Sequence, residues 1–109
     1  MAVDKTSFES ARVKGIEQIL GGAFTTKKYL ETTDDINTIT QTGIYPFGDA
    51  PINSPQNLTY GILLHVKGYG HNEQQFVLKG GVGLIYTRSL STVSPRTWSP
   101  WKKFQGADI

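Results

Sequence analysis

The apolar positions of this chain change period along its length. Val13, Ile16 and Leu20 recur at three- and four-residue spacing, the period of one helix face. Thr6-Ser7-Phe8-Glu9 precedes them with the spacing of a capping box, and Gly21-Gly22 follows as a stop. The pattern predicts a short amphipathic α-helix. Isolated helices below about 12–15 residues are marginal in water. The stripe therefore requires burial, either against other copies, as in a trimeric helical stem, or against the β domain of the same chain. Residues 1–32 are read as a helical stem or attachment segment, and residues 33–109 as a β domain.

From Ala23 to Thr42 the composition turns to Thr, Lys and Asp. In Asp34-Asp35-Ile36-Asn37-Thr38-Ile39, the Asp and Asn side chains are expected to bond nearby backbone amides in turns, with Ile36 and Ile39 as buried pegs. After Gly43 the period becomes two. Ile44-Tyr45-Pro46-Phe47 reads as a strand, and Gly48 to Gln56, with Pro51, Asn53 and Pro55, as a loop. The run from Tyr60 to Lys67 is the clearest strand and places Tyr60, Ile62, Leu64 and Val66 on one face. Gly68-Tyr69-Gly70-His71-Asn72 turns the chain into a second strand from Gln74 to Lys79, and Gly80-Gly81 into a third from Val82 to Arg88. Trp98 to Phe104 supplies a last strand, with Pro100 keeping the backbone between the two tryptophans extended. The predicted fold is mainly β: a small, sandwich-like antiparallel knob of four to six short strands behind an N-terminal helix.

Composition supports a thin β fold. The 109 residues suit one domain; 38% are hydrophobic, 11% are aromatic and 12 are glycine. With few aliphatics, aromatics must fill part of the core, and Tyr45, Tyr86 and Trp101 are assigned to it. A domain this small buries only about 60–65% of its unfolded surface, so self-association is the expected remedy. The net charge of +2 is mixed in sign and indicates neither nucleic acid nor an acidic membrane as partner. From Gln74 onward the bases Lys79, Arg88, Arg96, Lys102 and Lys103 face a single acid, Asp108, which makes either a solvated basic face or an anion-binding surface. The absence of cysteine excludes disulfides, thiol nucleophiles and thiolate metal sites. No stretch approaches the ~20 apolar residues of a membrane span, and the N-terminus lacks the apolar run of a signal peptide. The expected product is soluble, made in the cytoplasm and not inserted in a membrane.

Conventional catalysis finds little support. His65 lies mid-strand and His71 in a turn, and neither belongs to a metal-ligand spacing. Asp34 and Asp35 are adjacent, so on an extended chain they point apart, unlike a glycosidase pair. The glycines near Gly68 and Gly80 lack the helix and the Lys-Ser/Thr of a phosphate loop, and no serine sits in a Gly-x-Ser-x-Gly elbow. No enzyme activity, metal or cofactor is expected. What remains is binding. Tyr69 and His71 at a hairpin tip, with Tyr60, Arg88, Arg96 and Trp98, are the candidate receptor or glycan contacts, because aromatic faces stack on sugars and loop tips carry recognition groups.

A set of short motifs then falls in a familiar order. Asp35-Ile36-Asn37-Thr38-Ile39, Gly43-Ile44-Tyr45, Asn53-Ser54-Pro55, Gly61-Ile62-Leu63 with Val66, Gln74-Gln75, Tyr86-Thr87-Arg88 and Trp98-Ser99-Pro100-Trp101 follow one another through residues 33–104. Together they resemble the pyocin-knob-like domain of phage tail fibres and R-type pyocin fibres. The resemblance implies a β-rich knob on a homotrimeric fibre, joined to other virion tail or fibre proteins. It implies a place in the virion and attachment to a bacterial surface polysaccharide, lipopolysaccharide or capsule. Fibres of that family are generally long, whereas only about 30 residues precede the knob here. Two alternatives accompany this reading: a structural fibre-tip, trimerisation or decoration module that binds no receptor, and a fragment of a polysaccharide-degrading tailspike.

Overall fold

The computed structural model describes residues 25–81 and 83–109. The predicted N-terminal helix lies outside these residues. Six strands form one antiparallel sheet: β1 (Gly43–Phe47), β2 (Gly61–Lys67), β3 (Glu73–Lys79), β4 (Leu84–Thr92), β5 (Thr97–Trp98) and β6 (Lys102–Gln105). The first four meander in sequence order. The free side of β4 is then shared, its first half pairing with β6 and its end with β5. The single last strand expected from Trp98 to Phe104 is therefore two strands. Pro100 lies between them and has no N–H to give a ladder.

The expected sandwich is corrected to a single sheet with an irregular cover. The chain between Phe47 and Tyr60 carries Pro51 and Pro55 and takes left-handed φ at Asn53 and Asn57, so it cannot build a second ladder. It packs with the turn around Ile36 over one face of the sheet instead, both contributing to the buried core. The only helical turn among the described residues is a 3-10 turn, Ile36–Thr38. Asp35 caps it, Oδ1 accepting from the Asn37 N–H at 2.9 Å and from Asn53 Nδ2 at 2.7 Å. Asp34 accepts from the Glu31 N–H at 2.7 Å. Both aspartates thus do the turn-forming work expected of them. Residues 25–30, placed by the sequence in the segment ahead of the domain, already pair with β1 through Thr26 and Leu30, and Leu30 is buried.

The core is Leu30, Ile36, Tyr45, Phe47, Leu58, Leu63 and Val77, with Ile39, Tyr86 and Trp101 packed against it half-buried. Ile62 and Val66 do share a face with Leu64, but it is not the core face. On β2 the inward positions are Gly61, Leu63 and His65. One reason is local: Phe47 stands opposite Gly61 in the ladder and lays its ring over it. A Cβ at Gly61 would lie 2.4 Å from the Phe47 Cζ, and the ring, only 6% exposed, has nowhere to go. Gly61→Ala is therefore expected to lose about 1–3 kcal/mol of stability by overpacking. Gly48→Ala, where a Cβ meets nothing within 4 Å, is the control that should leave a urea unfolding midpoint unchanged.

Candidate functional site

The inward face of the sheet becomes polar toward one end. Beyond Leu63 and Val77, the register brings His65 opposite Gln75 and Gln75 opposite Arg88, all in the same layer. His65 and Gln75 are fully buried, and Glu73 and Arg88 nearly so. Such groups survive burial only when their hydrogen bonds are made. No buried side-chain nitrogen or oxygen among the described residues lacks a partner.

The donors determine the arrangement. Arg88 can only donate, and its Nε and Nη2 lie 3.0 and 2.8 Å from Gln75 Oε1, which fixes the amide's orientation. Gln75 Nε2 then donates to the Ile36 carbonyl at 2.8 Å and to His65 Nδ1 at 3.2 Å. With Nδ1 accepting, a neutral His65 carries its proton on Nε2 and donates to Glu73 Oε1 at 3.0 Å. Arg96 closes the chain by a two-pronged bond to Glu73, both contacts at 2.8 Å. It also donates to the Asn37 and Ile39 carbonyls, tying the 3-10 turn to the sheet.

The charges respond to this packing. The Arg96 guanidinium pulls the Glu73 carboxyl down to about 2, against the cost of burial and with further help from the His65 bond. Burial lowers the His65 imidazole below its usual range, more strongly than Glu73 raises it. Burial also lowers Arg88, to about 10. Arg88 sits between the two indoles, its Cζ 4.6 Å from the ring centroids of both Trp98 and Trp101. Each indole also holds a loop: Trp98 Nε1 donates to the Asn37 carbonyl and Trp101 Nε1 to that of Asn53.

Of the six candidate contacts, then, Arg88, Arg96 and Trp98 are brought together in one cluster, Arg88 buried and the other two half-buried, each bonded to other parts of the protein. Tyr69 and His71 stand at the β2–β3 hairpin tip, where Tyr69 is wholly exposed. Tyr60 is at the other end of β2, roughly 20 Å away at about 3.4 Å per residue. It is 76% exposed, with Lys79 Nζ 5.7 Å from its ring centroid. Its φ of 52° places a bulky residue in the left-handed region, held there by its N–H bond to the Gly48 carbonyl. The six do not form one site.

Sequence reasoning missed Glu73, Gln75, His65 and Asn37 as members of the cluster. The available signal was polar residues at alternate positions of strands otherwise rich in apolar ones. Among the described residues no group of three or more His, Asp or Glu side chains is disposed to hold a metal ion. A shallow depression of about 350 Å³ lined by Leu30, Glu31, Thr32 and Asp49 includes none of the six candidates. Comparison with protein-family models, curated proteins and solved structures found no match.

Proposed function

We propose that this chain is a non-enzymatic knob module of a phage tail fibre that helps attach the particle to a bacterial surface glycan. The ordered motifs through residues 33–104 support the reading. The observation that carries it is Tyr69, wholly exposed beside His71 at the tip of a hairpin whose strands are locked in the sheet. A flat ring displayed on a rigid support is suited to stacking on a sugar, and the imidazole beside it to bonding hydroxyls. Tyr60, held in a strained conformation with its ring outward, offers a second aromatic contact. Single contacts of this kind are weak. Three copies per fibre and several fibres per particle make them useful together.

The bonds that Arg88, Arg96 and Trp98 make within the protein favour a second reading, a structural fibre-tip or decoration module that binds no receptor. One experiment separates the two. The double variant Tyr69→Ala/His71→Ala is expected to bind immobilised lipopolysaccharide or capsular polysaccharide about tenfold more weakly, the loss of roughly one aromatic contact per copy. Its oligomeric mass and melting temperature should not change. Undiminished binding by the double variant would remove the tip as a receptor site; absence of binding by the parent chain across a panel of glycans and bacterial cells would favour the structural module.

A further inference from the structure

The face of the sheet turned away from the core is largely apolar as well. An antiparallel sheet with one face in water normally alternates apolar inward with polar outward. Here the positions facing away from the core include Ile62, Leu64 and Val66 on β2, Phe76 and Leu78 on β3 and Ile85 on β4. Ile62, Val66 and Ile85 are each more than 40% exposed, and Phe104 on the adjoining β6 is 56% exposed. The ladder places Leu64 opposite Phe76, Leu78 opposite Ile85 and Ile85 opposite Phe104, so the patch is continuous from β2 to β6. With Ile44 and Pro46 of β1 it crosses five strands, about 24 Å at ~4.8 Å per strand, and runs about 17 Å along them. The resulting ~400 Å² is among the largest apolar patches that monomers leave in water.

We infer that this outer face is the surface on which copies of the present chain pack against one another. Its charge pattern selects that occupant. The outward positions of β1, β2, β3 and β4 carry no charged residue, and Lys102 on β6 stands at the rim. An uncharged aliphatic face meets its own copy without like-charge repulsion. Its hydrogen-bonding side chains are only Gln74, Thr87 and Ser89, beside the rim residue Lys102, which leaves most of its area without a partner for a glycan or a charged peptide. Interfaces between identical subunits are also more apolar than those between transient partners. The inference deepens the fibre reading and rests on it for the number of copies, but not for the surface used.

The test is the light-scattering mass of the full chain, compared with Ile62→Glu and, separately, Ile85→Glu. These two positions lie on different strands and are already partly in water, so at least one variant is expected to keep the parent's far-ultraviolet circular dichroism. The parent is expected at a two- or threefold multiple of its 12.0 kDa, and each folded variant at 12.0 kDa. A parent that is monomeric at about 100 µM would overturn the inference and leave the face to residues 1–24 or to a foreign partner. An oligomer that survives in a folded variant would overturn it as well. An oligomer that dissociates on these substitutions but binds no glycan would sink the attachment reading and leave the interface standing.

Discussion

Replacing Gln75 with leucine is expected to lower stability by about 3–5 kcal/mol, a large part of the 5–15 kcal/mol that holds a typical domain together. The side chain is fully buried and serves three groups at once: the Ile36 carbonyl, His65 Nδ1 and the Arg88 guanidinium. Leucine has similar bulk and no polar atoms, so packing is nearly kept while all three partners lose the hydrogen bond that the amide made. Each such loss at a buried group costs about 1–3 kcal/mol, more where it is charged. Arg88 retains Asn37 Oδ1 at 2.7 Å and its two indoles, which limits the loss at that end. The neighbouring Gln74→Leu is the control. Gln74 points to the other face and bonds only Asn72 Oδ1, so its replacement should move stability by less than about 1 kcal/mol. Urea unfolding at pH 7 measures both. Equal, small effects would mean that the polar cluster does not hold the 3-10 turn to the sheet.

Acid is expected to undo the same cluster in two stages. His65 has a lowered pKa in the folded chain, so the unfolded chain takes up its proton first. The stability this histidine allows is complete above about 6.5, the unfolded value, and falls as pH drops below it. The geometry gives the reason: a second proton on Nδ1 would face the Gln75 amide N–H, and the amide cannot turn over because Arg88 requires its oxygen. Glu73 adds the second stage. Its carboxyl is held at about 2 against an ordinary 4.5, so its contribution is complete above 4.5 and is lost as pH falls toward 2. That difference corresponds to roughly 3 kcal/mol at 1.36 kcal/mol per pH unit. Unfolding free energies at pH 7, 5.5, 4 and 3 should therefore decline throughout, and Glu73→Gln should flatten the part below 4.5. A parent protein equally stable at pH 7 and pH 4 would contradict the neutral, buried His65 described above.

Much of the architecture was legible from local pattern. The two-residue period marked β1 to β4, the glycine-bearing turns marked the hairpins, and Asp34 and Asp35 were read as turn formers because a short carboxylate reaches its own neighbouring amides. These are interactions among residues a few positions apart, which spacing alone describes. The candidate contacts were less legible. Arg88, Arg96 and Trp98 looked like surface groups, as such residues usually are, and only their long-range partners draw them into one cluster with Arg88 buried. Asn37 and Arg88 are separated by 51 positions and Asn37 and Trp98 by 61. Nothing in the spacing of either segment announces the other. Tyr69 and His71 were placed correctly at a tip because a turn between two strands projects its residues whatever the rest of the chain does.

The sequence by itself determined a small, mainly β chain without cysteine, with its strands, hairpins and capped turn in their order along the molecule. Tertiary structure decided which face of each strand is core. In an antiparallel pair both alternations are available, and Tyr60, Ile62, Leu64 and Val66 are the more apolar set on their strand. The choice fell the other way because Phe47 needs the space over Gly61, and because His65, Gln75 and Arg88 find complementary partners only when they face inward together. Those contacts depend on register across four strands and on a loop returning from far along the chain, and local pattern carries no information about either.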